Sequence, residues 1–208
     1  MKIATWNLSH AVKRSAERRK KGWDFLASLS VDIAMTQEAG LPIGSAESSI
    51  IGEKIGEVNW ATAVVSYGPK IGRLEQPIRP SWDRNAEFYI PDAARGGTLA
   101  IAVAESWDDV PIIVISLYGR LRYADQSVLR AASDILPIFD TSLRRRVVIG
   151  GDFNIHTHSN VRSERRRAGP ILSVLESFGF YDLVRYSMDN SMFSQGEQKD
   201  LQLCPCGD

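Results

Sequence analysis

Short apolar runs spread along the chain constrain it more than any other feature. Seven read as strands: Lys2–Asn7, Asp32–Gln37, Trp60–Tyr67, Phe88–Ile90, Thr98–Ala104, Pro111–Leu117 and Arg146–Gly150. Runs this short, bounded by turn residues and rich in Val, Ile and Thr, suit strands better than helices. Three stretches between them keep a helical period. From Ser15 to about Ser30, Trp23, Phe25, Leu26 and Leu29 oppose a charged face. From Tyr123 to Phe139, Val128, Leu129, Ala132, Ile135 and Leu136 form an apolar stripe. Pro170–Phe178 reads as a short helix, with proline near its start and Gly179 past its end. Leu41–Glu57 and Ile71–Arg84 read as loops. Strands mixed with helices predict a layered α/β or α+β protein, not a helical bundle or a pure β-sandwich.

With 208 residues, the chain is expected to form one domain over 1–208 with a sizeable core. Basic and acidic residues both number 25, so net charge points to no polyanionic partner. Local clusters do stand out, at Lys13–Lys21, Arg144–Arg146 and Arg162–Arg167. Such runs are most often solvated helix faces, and can also track a phosphate backbone. No apolar run approaches the roughly 20 residues that span a bilayer, and no charged-then-apolar leader is visible. The only cysteines, Cys204 and Cys206, form no disulfide framework and read as reduced thiols. Together these predict a cytoplasmic protein with no membrane partner.

Four of the apolar runs lead into a polar residue suited to metal or phosphate chemistry. Ile3–Trp6 leads to Asn7, Ile33–Gln37 to Glu38, Ile112–Leu117 to Tyr118, and Val147–Gly151 to Asp152-Phe153-Asn154. Strands of a sheet deliver matching ends to one rim, where such residues can converge. One carboxylate after a strand is unremarkable; four such ends are harder to dismiss. Mg²⁺, with Mn²⁺ as the alternative, prefers oxygen ligands and binds through one or two carboxylates plus waters and phosphate oxygens. Glu38 is the natural ligand. Asp152 is placed to orient or deprotonate an attacking water. Asn7 and Asn154 can hold that carboxylate and a phosphate in place, and Tyr118 can donate to a phosphate oxygen as charge grows there.

The stretches TWNL (Thr5–Leu8), TQE (Thr36–Glu38) and GGDFN (Gly150–Asn154), in this order and spacing, resemble motifs of the endonuclease/exonuclease/phosphatase superfamily, the deoxyribonuclease I-like group. The resemblance runs from residue 2 to about residue 185. It implies a four-layer α/β/β/α sandwich and Mg²⁺-dependent cleavage of a phosphoester. By position it assigns metal binding to Glu38, with Asn7 beside it. It gives water activation to Asp152, and phosphate or network roles to Asn7, Tyr118 and Asn154.

The family also uses a Ser-Asp-His near the C-terminus and an aspartate upstream of it, and neither pattern is found here. The expectation is that the last two strands are missing. The alternatives are a shortened inactive relative, or a substitute among His10, His156 and His158. Ser9 stands where some abasic-site endonucleases carry an acidic residue. The basic clusters, with Trp60, Trp82 and Tyr89 as stacking candidates, favour DNA or RNA as substrate over an inositol phosphate. The non-enzymatic alternative is a binding protein that keeps the sandwich without catalysis.

Overall fold

The structure, a computed structural model, describes residues 1–10, 15–41, 49–54, 60–74, 98–119, 128–129, 131–133, 135–136, 146–155 and 162–183. Phe88–Ile90, Trp82, Tyr89, His156, His158, Cys204 and Cys206 lie outside the described residues, as does the C-terminal region from 184 on which the missing-strand expectation bears.

Two four-stranded mixed sheets form the centre. The first has the order β1 (Ile3–Asn7), β2 (Ile33–Ala39), β4 (Ala61–Ser66), β3 (Ile50–Lys54). The second runs β5 (Ile71–Arg73), β6 (Leu99–Ala104), β7 (Ile112–Tyr118), β8 (Val147–Asp152). Each sheet has one parallel pair, β1 with β2 and β7 with β8, and its other pairings are antiparallel. Parallel neighbours need a crossover connection, usually a helix. Helix α1 (Ala16–Ser28) lies between β1 and β2, and helical residues within 128–136 lie between β7 and β8. Helix α2 (Arg162–Ser177) follows β8.

The period-two pattern of the strands decides which side chains meet. Ile33 and Met35 of β2, Val64 of β4, Ala100, Ala102 and Ala104 of β6 and Val114 of β7 fill the space between the sheets. Ile113, Ile115 and Leu117 of β7 point the other way, onto Val128, Ala131, Ile135 and Ile171 of the helices. Ala34 and Ala39 of β2 pack with Leu8 and with Leu26 of α1. This is an α/β/β/α sandwich with three apolar interfaces, as expected. Each fully buried Ile, Leu or Val contributes roughly 1.5–3 kcal/mol.

The helix ends obey local chemistry. Ser15 caps α1, its hydroxyl accepting from the Arg18 N–H at 3.2 Å. At the end of α2, Gly179 takes φ +85°. The Phe180 N–H reaches Leu175 O at 3.2 Å and the Gly179 N–H reaches Glu176 O at 2.9 Å, the paired bonds of a Schellman cap.

The sequence reading needs three corrections. The helix expected from Pro170 begins at Arg162, with Pro170 inside it and exposed. Docking of Ile171 and Leu175 outweighs the local preference against proline. β3 and β5 fall in segments read as loops. Both are short edge strands, recruited by the backbone of a neighbour more than by their own pattern.

Candidate active site

The C-terminal ends of both parallel pairs point to the same rim of the sandwich. Asn7 pairs with Gln37 in one sheet and Tyr118 with Asp152 in the other. Asn7, Glu38, Tyr118, Asp152 and Asn154 therefore meet, as the strand ends predicted.

Asn7 is the centre of the cluster. Its Nδ2 donates to Asp152 Oδ2 at 2.8 Å and to Glu38 Oε1 at 3.3 Å, one hydrogen for each carboxylate. Its Oδ1 accepts from the Ser9 N–H at 2.9 Å. The same two-residue turn recurs on the other sheet, where Asp152 Oδ1 accepts from the Asn154 N–H at 3.0 Å. Asn154 Nδ2 donates to Gly119 O at 2.6 Å, and the Gly119 N–H donates to Asp152 O at 2.8 Å, tying the ends of β7 and β8 together. Tyr118 reaches across the sheets and donates its hydroxyl hydrogen to Glu38 Oε1 at 3.0 Å. Trp60, half-buried before β4, meets the Tyr118 ring edge-on at 5.6 Å.

The backbone at this rim departs from ordinary strand geometry. Between Thr36↔Ala63 and Ala39↔Ala61, β2 advances three residues while β4 advances two, so β2 carries a bulge. Glu38 sits in it at φ +49°. Ser9 and Asn154 also have positive φ, so three of the five described non-glycine residues in this region line the site. Such conformations cost energy and tend to gather where a side chain must be aimed. The glycines of GGD answer a different demand. A Cβ at Gly150 would lie 2.3 Å from Met35 Cε of the facing sheet. One at Gly151, at φ +150°, would lie 1.9 Å from Leu117 O.

Burial, then the charge and hydrogen bond of Glu38, push the Tyr118 phenol well above its ordinary pKa, so it stays a donor across the neutral range. A raised folded-state pKa gives stability that is complete below the unfolded value of about 10 and lost as pH rises above it. Tyr118→Phe is expected to flatten the loss of stability above about pH 10 in denaturant titrations, leaving the contribution of Tyr67, whose phenol burial also pushes up.

Other candidates fall elsewhere. His10 is buried, with its Nδ1 accepting from the Gly40 N–H at 2.9 Å and its ring edge-on to Trp23 of α1 at 6.0 Å, so it belongs to the α1 interface. Arg146 immediately precedes β8, on the order of 20 Å along the chain from Asp152. Its guanidinium grips both Asp108 oxygens and Val110 O, and holds the Asp108 carboxyl below the usual carboxylate range. Its charge is thus taken up within the fold. Lys20 and Lys21 pair with Asp24 and Glu17 on exposed faces of α1. The side chains of Arg162–Arg167 lie outside the described residues. Sequence reasoning missed the Gln37–Ser116 contact beneath the cluster; a polar pair inside two apolar strands was the available signal. Among the described residues no group of three or more His, Cys, Asp or Glu could hold a metal, and no helix is long and apolar enough to cross a membrane.

No family profile and no curated protein matches the chain. Among solved structures, it is similar to the endonuclease domain of TRAS1, a telomere-specific non-LTR retrotransposon. That superposition has a TM-score of 0.59 at 14% identity and covers 88% of this chain and 74% of the other. The two share a fold. A functionally unknown conserved protein from Enterococcus faecalis V583 also matches, with TM-score 0.50 and 13% identity over 80% of this chain and 72% of that one. In this chain the candidate site sits on the rim built by the two parallel strand pairs.

Proposed function

We propose that this protein is a metal-dependent phosphodiesterase, a nuclease acting on DNA or RNA. The observation that carries the reading is the single Asn7 amide holding Glu38 and Asp152, from opposite sheets, together at one point. Two carboxylates side by side repel, and a cation between or beside them offsets that cost. The donor set suits Mg²⁺ or Mn²⁺: the oxygens are hard, and Glu38 Oε2 takes no hydrogen bond among the described residues while Oε1 takes two. Glu38 would hold the ion through Oε2. Asn7 Oδ1, already bonded to the Ser9 N–H, would join only through its second lone pair. When bound, the ion supplies positive charge against the phosphate oxygens.

The chain's own groups do the rest. Asp152 accepts a proton from the attacking water, while Asn7 and the Asn154 N–H fix its two oxygens. Tyr118 holds Glu38 from the second sheet and turns its hydroxyl to a phosphate oxygen as substrate arrives. The endonuclease activity named for the TRAS1 domain supports nucleic acid over a small phosphoester.

Supercoiled plasmid incubated with the purified chain is expected to be nicked with Mg²⁺ and left intact with EDTA or in Glu38→Ala. A folded chain that cleaves neither plasmid nor single-stranded RNA under any divalent metal would sink the nuclease reading.

A further inference from the structure

Gln37, the residue before Glu38, is wholly buried, which is unusual for an amide side chain. Its Nε2 donates to Ser116 Oγ of β7 at 2.9 Å, and that hydroxyl donates to Thr36 O at 3.2 Å. Its Oε1 is buried and meets no donor among the described residues, a cost that an apolar side chain would avoid. A residue kept only to fill the core would be better as leucine or methionine.

The partner explains why an amide is there. Ser116 and Tyr118 lie two residues apart, on one face of β7. Ser116 takes Gln37 and Tyr118 takes Glu38. In a regular strand, the consecutive side chains of Gln37 and Glu38 would point to opposite faces. The bulge and the positive φ of Glu38 turn both toward the second sheet. Two polar rungs thus join β2 to β7, one buried and one at the rim.

We infer that Gln37 is a positioning residue: clamped by Ser116, it holds the β2 bulge in the arrangement that aims Glu38 at Asn7 and Tyr118. Its effect on rate rests on the phosphodiesterase reading; its effect on the bulge does not. The test compares Gln37→Met, close in volume, with Ser116→Ala and the double variant. One arm measures kcat and KM for Mg²⁺-dependent cleavage. The other measures hydrogen exchange at the His10 N–H, which is bonded to Glu38 O at 2.9 Å, with the Val64 N–H as control.

In Gln37→Met, kcat is expected to fall about tenfold to a hundredfold with KM little changed. Exchange at His10 quickens while Val64 keeps its rate. The double variant loses less than the sum of the two single variants, since both remove the Gln37–Ser116 bond. Wild-type kcat, or unchanged exchange at His10, in folded Gln37→Met would overturn the inference. If that variant does not fold, Ser116→Ala carries the same criteria. If the wild-type chain cleaves nothing, the phosphodiesterase reading fails by itself, and exchange at His10 still decides whether the clamp exists.

Discussion

Gly151→Ala is expected to lose the folded state, with a destabilisation above about 4 kcal/mol or no cooperative unfolding transition at all. The added methyl would lie 1.9 Å from a backbone oxygen, Leu117 O, in the adjacent parallel strand, and φ +150° is one that residues with a Cβ rarely adopt. Neither strand can retreat, because β7 also carries Tyr118 and packs on both faces. Gly150→Ala is a useful contrast. Its methyl meets the tip of Met35, a flexible side chain, so about 1–3 kcal/mol is expected. Met35→Ala should recover part of that loss in a double-mutant cycle. Urea unfolding of these variants beside the wild type decides the matter, and a Gly151→Ala protein as stable as wild type would mean that β7 and β8 can part at that point.

Substitutions at the two carboxylates are expected to separate their roles. If the proposed function holds, Glu38→Gln should lower Mg²⁺-dependent cleavage by more than about a hundredfold and abolish the rise in Tm expected of the wild-type chain with Mg²⁺. A ligand at a hundred times its Kd adds about 2.7 kcal/mol of stability, so the shift is measurable. Asp152→Asn should cost about 10²–10⁴ in rate, as for loss of a general base, while keeping most of the Mg²⁺-dependent shift. If both variants lose the shift equally, Asp152 is a ligand as much as Glu38, and the water needs another base. Melting with and without Mg²⁺, beside the cleavage assay, gives both readouts.

Much of this site was legible in the sequence because strands impose simple rules. A strand that ends in Asn7, Glu38, Tyr118 or Asp152 must present that residue at a sheet rim, and parallel pairs put their ends on the same side. What no strand pattern could show is how each end is bent. The bulge at Glu38 is a mismatch of register between β2 and β4, a property of two strands and written in neither alone. Arg146 misled for a similar reason: its charge is plain in the sequence, but Asp108, which neutralises it, stands 38 positions away. The edge strands β3 and β5 were missed because their neighbours supply what their own residues lack.

The positive φ at Glu38 ties the backbone of β2 to the carboxylate it presents. A side chain in that backbone region costs about 1–2 kcal/mol, which glycine would not incur. Glu38→Gly would relieve that cost but leave the Asn7 amide and the Tyr118 hydroxyl without their shared acceptor, so it is expected to melt no higher than the wild type. Strain and hydrogen bonding at Glu38 thus belong to one arrangement: the backbone is bent at a cost, and the carboxylate that the bend presents is held by groups from both sheets.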